Sequence, residues 1–196
     1  MHYMHNYQQQ LAFLAGLCVA LAGGWYYISS NYTDDIPTDE YHIHADVVMV
    51  INDEQIDLSD TQYMSATGHI LHADAHFHDG SDDIMHVHAE GIQLAEFYGS
   101  LGFSLTDTCI TPPSGNTSCT NDDERLILFV NGIEAATVGS YVPQDSDQIL
   151  IYYGSPDSPR ITEYQARITN ESCIYSGTCP ERGLPPPESC GLTCEI

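Results

Sequence analysis

The chain contains no lysine, and its four basic side chains are arginines, the first at position 125. Against them stand 28 Asp and Glu, for a formal charge of -24 over 196 residues. Without a basic stripe there is nothing to neutralise phosphates, which excludes nucleic acid and anionic membrane surfaces as partners. Acidic residues in place of lysine keep a surface hydrated in concentrated salt, where screening weakens self-repulsion, and this points to a halophilic host. Cys-x-x-Cys is also missing, so thioredoxin-like redox chemistry lacks its usual motif. No Ser/His/Asp order or phosphate-cradling glycine loop stands out. What remains is a chain with 42% hydrophobic residues and 13 Tyr, apolar enough to fold and long enough for one compact domain with appendages.

The first appendage is Leu11 to Ile28, 18 residues without a charge ending in Trp25, Tyr26 and Tyr27. That length and aromatic edge fit an N-terminal transmembrane helix (1–28). The alternative is a signal peptide cleaved after the small-x-small run Ala20-Leu21-Ala22, giving a secreted protein. A polar stalk (29–40) follows. From residue 41 to 161 the pattern is that of an α+β domain. Ala45 to Ile51 and Glu54 to Leu58 read as a hairpin, and His69 to His78 and Ile84 to His88 as a strand pair joined by the turn Asp79 to Asp83. Leu94, Phe97, Tyr98 and Leu101 form one apolar stripe of a short helix ended by Gly102. Arg125 to Val130 runs into an Asn131-Gly132 hairpin signal, and Gln148 to Tyr153 is a further strand. Two strands, a helix and two returning strands predict a β-grasp-like mixed sheet, ahead of a small β-sandwich.

The segment 162–196 is rich in Cys and Pro and reads as a disulfide-pinned tail. Cys18 sits in the apolar run; beyond it Cys109, Cys119, Cys173, Cys179, Cys190 and Cys194 make an even set, which predicts three disulfides. Cys109 and Cys119 bracket a Pro/Gly/Asn loop and are expected to pair, while the last four allow three connectivities. Three glycosylation sequons begin at Asn31, Asn116 and Asn170. Cysteines and sequons together predict that the main body lies outside the cell.

Eight of the ten histidines fall between positions 42 and 88, and six of them form H-x-H pairs: His42 with His44, His76 with His78, and His86 with His88. Residues two apart on a strand share a face, so each pair presents two imidazoles to one side of a sheet. Were His76/His78 to face His86/His88 across a hairpin, their Cβ atoms would lie about 4.5–8 Å apart, within reach of a common ion. Neutral imidazole selects a borderline transition metal, copper or zinc, over Mg or Ca. Met49, Met64 and Met85 nearby tilt the choice to copper. His72 joins the expected ligand set, with Asp79 and Glu90 as carboxylates that orient the imidazoles.

The stretches HIHADVVMVIND, HFHDGSDDIMHVHAEGIQLAEFYGSLG, LILFVNG and DSDQILIYYG resemble a family of membrane-anchored, His-rich extracellular proteins of archaea and small-genome bacteria whose function is not settled. The likeness spans His42 to Gly154, and CIYSGTCPERG is similar to the tail of some members. It implies that His42, His44, His76, His78, His86 and His88 are shared motif residues. Asp82-Asp83 departs from the pattern by lengthening the turn before Ile84. The residues thus predict a membrane-anchored extracellular module that captures or buffers copper or zinc, its protein partner unspecified. The alternatives are a metalloenzyme with an open His-ligated position, a surface adhesin with incidental histidines, and a pH switch.

Overall fold

The computed structural model describes residues 41–185. The expected anchor, the stalk, Asn31, Cys18, Cys190 and Cys194 lie outside the described residues. Among the described residues no helix is long and apolar enough to cross a membrane.

The chain folds as an α+β domain dominated by one mixed sheet. In chain order its elements are β1 (Ile43–Ile51), β2 (Glu54–Gln55), β3 (Ala75–His78), β4 (Ser81–Val87), α1 (Leu94–Ser100), β5 (Ser104–Leu105), β6 (Cys109–Thr111), β7 (Ser118–Cys119), β8 (Arg125–Val130), β9 (Ile133–Glu134), β10 (Gln148–Gly154), α2 (Arg160–Gln165) and α3 (Ser172–Tyr175). The large sheet has the order β3-β4-β1-β10-β8-β9, with β2 paired to the end of β1. β1 and β10 run parallel at its centre, from Asp46 opposite Gln148 to Ile51 opposite Tyr153. Every other pairing in it is antiparallel. Strands β5, β6 and β7 make a separate small sheet.

β1 is rich in β-branched residues and buried on both faces, as a central strand must be, and its parallel partner β10 is buried on both faces as well. Its odd positions, Ala45, Val47, Met49 and Ile51, join Met85, Val87, Ile149, Ile151 and Leu128 in the main core, which α1 closes with Leu94, Phe97 and Tyr98. The stripe expected at Leu94 to Leu101 is therefore a real helix face. The opposite face is divided. Val48, Val50, Ile127, Leu150 and Tyr152 pack under Ile161 and Tyr164 of α2, while the β3-β4-β1 end of that face carries polar side chains.

Three expectations are corrected. The strand expected over Glu54 to Leu58 pairs only at Glu54–Gln55, and the main antiparallel neighbour of β1 is β4. The turn expected over Asp79 to Asp83 is Asp79-Gly80 alone: their φ angles are 56° and 76°, and His78 already faces Ser81. Asp-Gly suffices for a two-residue turn because both positions need positive φ; Ser81 to Asp83 belong to β4, and a bulge between His76 and His78 absorbs the register shift. Lastly, the boundary placed at 161/162 falls inside α2, and the described part of the expected tail folds back onto the sheet.

That return is fastened at Asp46, a fully buried carboxylate on β1. It accepts hydrogen bonds from the backbone N–H of Glu171 (2.8 Å) and Ser172 (3.2 Å) and from the hydroxyls of Thr169 and Ser172. A buried charge survives only when so paired. Disulfides join Cys109 to Cys119 across β6 and β7, as expected, and Cys173 to Cys179 beside α3.

Candidate metal centre

His44 and Asp46 of β1, His86 of β4 and both histidines of β3 lie at the polar end of the second face. The register puts three imidazoles side by side on adjacent strands: His76 opposite His86, and His86 opposite His44. All three are buried, at 1%, 2% and 1% exposure, as is His78 at 4%. His42 is exposed at the near end of β1, and its ring stacks on that of half-buried His88 with centres 4.3 Å apart. Six imidazoles thus form one continuous array.

Within it, His42, His44 and His86 each offer a ring nitrogen within 4.8 Å of the others, a group that can hold a metal ion. Two imidazoles bound to one ion at 2.0–2.1 Å have ring centres roughly 5 Å apart at tetrahedral angles. The observed separations are 4.5 Å for His42 with His44 and 4.6 Å for His44 with His86. His42 and His86 stand wider, at 6.4 Å, and the exposed His42 is the ring with room to swing inward.

Burial and the neighbouring imidazoles hold His44 and His76 down at about 3, far below the usual 6.5. Burial, then His42, holds His88 at about 4, with Asp74 opposing. Burial and the adjacent His78 push His86 lower still. These rings are therefore neutral near pH 7, the form that ligates metals.

Hydrogen bonds fix which nitrogen carries the proton. Ser176 donates its hydroxyl hydrogen to Asp145, so its oxygen accepts from His44 Nδ1 at 2.8 Å. The lone pair of His44 is then on Nε2. Asp145 Oδ1 also accepts the His44 backbone N–H at 3.2 Å. His78 Nδ1 likewise donates to Asp79 Oδ2 at 2.9 Å, placing Asp79 where an orienting carboxylate was expected. Above the array, Tyr175 of α3 lays its ring 5.6 Å from His44 and 5.4 Å from His86. His76 differs from its neighbours: both its ring nitrogens are buried with no hydrogen-bond partner among the described residues.

Other expected participants stand elsewhere. His72 is drawn off: its Nδ1 accepts the Asp74 N–H at 3.0 Å and its Nε2 meets Glu96 of α1 at 3.1 Å, so both nitrogens are engaged. Glu90 is exposed and makes no hydrogen bond to a histidine among the described residues; the charge it contributes falls on Tyr41, whose hydroxyl is pushed up mainly by burial. Met49 and Met85 point to the opposite face, and all three methionines lie in the main core, so they lend no support to copper. Asn116 and Asn170 are exposed. Asp145, Ser176, Tyr175 and Asp46 were not anticipated. Only Asp46 carried a signal, as a lone carboxylate inside a β-branched strand.

No protein-family model matches the chain, and neither a curated protein nor a solved structure matches it.

Proposed function

We propose that this protein is a membrane-anchored, extracellular module that captures or buffers a borderline transition metal, copper or zinc, on its histidine array. The observation that carries the reading is the convergence of His42, His44 and His86 within 4.8 Å, two of them buried and one of these held in its metal-binding tautomer by Ser176. Neutral imidazoles in a set without thiolate or thioether favour copper or zinc over Mg and Ca, and for a given nitrogen site Cu(II) binds ahead of Zn(II). The exposed His42 leaves a path for the ion from solvent. The apolar run at 11–28, the two disulfides and the exposed sequons at Asn116 and Asn170 support the surface location. A β-grasp-like description of the fold is supported by the parallel pairing of β1 with β10, each flanked by an antiparallel neighbour, with α1 between the two strand pairs in sequence.

The test is calorimetric titration of the full chain with Cu(II), Zn(II), Mg(II) and Ca(II). Stoichiometric binding of the first two, abolished by His44→Ala with His86→Ala, supports the reading. No stoichiometric binding, or binding unchanged in that double variant, refutes it. One observation favours a metalloenzyme as a second reading: three protein nitrogens leave a fourth position for water or substrate. Metal-dependent turnover of an oxidisable or hydrolysable compound, lost in the same double variant, would support it.

A further inference from the structure

The loop that covers the histidine array is closed by a disulfide. Cys173 and Cys179 stand six positions apart, and between them lie Tyr175 and Ser176, the two side chains of this loop that reach the metal-binding trio. Tyr175 sets its ring 5.6 Å from His44 and 5.4 Å from His86, and Ser176 accepts the His44 Nδ1 proton at 2.8 Å. α3, which carries Tyr175 and ends at Ser176, has four residues, too few to hold a helical shape alone. Two ties fix it: Asp46 at its front, through the Glu171 and Ser172 N–H groups, and the disulfide at its back. Beyond α3 the chain turns at Gly177 (φ 66°), and the Thr178 N–H returns to the Cys173 carbonyl at 2.9 Å. Without the sulfur bond the loop regains conformational freedom, which must be given up again whenever Ser176 and Tyr175 reach the imidazoles.

The surroundings of the two sulfurs favour exchange. Arg125, Arg160 and Arg167 face glutamates, whereas Arg182, the last of the four basic residues, sets its guanidinium on the Asn170 carbonyl and 3.4 Å from Cys173 Sγ. A cation there stabilises a thiolate on Cys173, making it the better leaving group when a thiol attacks Cys179. Cys179 lies between exposed Thr178 and Pro180.

Resting on the metal-binding reading above, we propose that the Cys173–Cys179 disulfide is a redox latch on the metal centre. Closed, it holds Tyr175 and Ser176 on His44 and His86; opened by an external thiol, it releases them and loosens the ion. One thiol attacks Cys179 Sγ and expels Cys173 as a thiolate, which takes up a proton. A second thiol attacks the mixed disulfide and expels Cys179, so that two thiols become one disulfide and the protein gains two electrons and two protons. Coupling between two equilibria is reciprocal: an ion on the trio resists opening by the same factor that opening weakens the ion.

The experiment uses the full chain and Zn(II), which thiols do not reduce. Alkylation and mass spectrometry report the glutathione balance, [GSH]²/[GSSG], at which Cys173–Cys179 is half reduced, with and without saturating Zn(II). That balance is expected to rise about 10–100-fold with Zn(II), the range by which losing a group that orients a ligand lowers metal affinity. Cys109–Cys119, across β6 and β7, should not move. In the other direction, Cys173→Ser with Cys179→Ser is expected to bind Zn(II) more weakly by the same factor; the glutathione measurement needs no variant and stands should this one fail to fold. A balance that Zn(II) leaves level or lowers overturns the latch, as does unchanged Zn(II) affinity in the folded double variant, and either result leaves the metal-binding reading standing. No bound Zn(II) in the unaltered chain overturns both.

Discussion

Lowering the pH of the metal-free protein from 6.5 to 5.5 is expected to remove a large part of its stability. His44, His76 and His86 are held well below the 6.5 of a solvated imidazole, chiefly by burial. Above about pH 8, folded and unfolded chains both leave these rings neutral, so they contribute no pH dependence there. As the pH falls through 6.5 the unfolded chain takes up protons that the folded chain refuses, and stability falls until the pH reaches the depressed native values, near 3 for His44 and His76. Each ring protonated only in the unfolded state costs about 1 kcal/mol over that single pH unit. His88 is partly solvated and is left out; three rings then give about 2–3 kcal/mol after allowance for relaxation of the array. In a protein of this size that is roughly 5–10 °C in Tm. Carboxylates titrate mainly below pH 5 and do not mask the effect in this window. Differential scanning calorimetry at constant high salt, with chelator present, reads it directly. A Tm that stays level between pH 6.5 and 5.5 would show that these imidazoles are solvated or already charged, and the burial argument would fail with the metal site built on it.

Two further variants probe other contacts of the fold. Asp46→Ala leaves the N–H groups of Glu171 and Ser172 without their acceptor, and at about 1–3 kcal/mol per orphaned donor it should cost roughly 2–5 kcal/mol in urea unfolding. Because Asp46 holds α3 in place, the same variant should also bind Cu(II) more weakly; unchanged affinity would mean that Ser176 and Tyr175 do not shape the centre. Gly139→Ala would place its Cβ 2.9 Å from the Thr106 backbone, and a loss of about 1–3 kcal/mol is expected by the same measurement; no loss would show that this loop shifts freely.

Much of the sheet was legible because its signals are local. The β-branched run of β1, the stripe on α1 and the Asn131-Gly132 turn each depend on a few consecutive residues. The H-x-H pairs were legible for the same reason, since a period of two fixes the face without knowledge of the partner strand. What escaped required contacts across long stretches of chain. Ser176 reaches His44 over 132 positions, and nothing in CIYSGTC distinguishes a hydroxyl that orients a ligand from one in a turn. His72 was drawn in by its position among the other histidines, and excluded by a bond to Glu96 that spacing does not foretell. Ser81, Asp82 and Asp83 have the composition of a turn, yet they extend β4, where Asp82 accepts the Leu58 N–H at 2.7 Å. The methionines lie near the histidines in sequence only, since strand alternation sends Met49 and Met85 to the other side of the sheet.

The row His76, His86, His44 lies across three neighbouring strands, so the interval between its members is the lateral repeat of the peptide ladder, about 4.8 Å. Such a row works as a ruler whose graduations belong to the backbone. Replacing one donor type with another at those three places would change the chemistry offered to an ion while leaving the graduations unaltered, which makes this end of the sheet a template on which other coordination sets can be written.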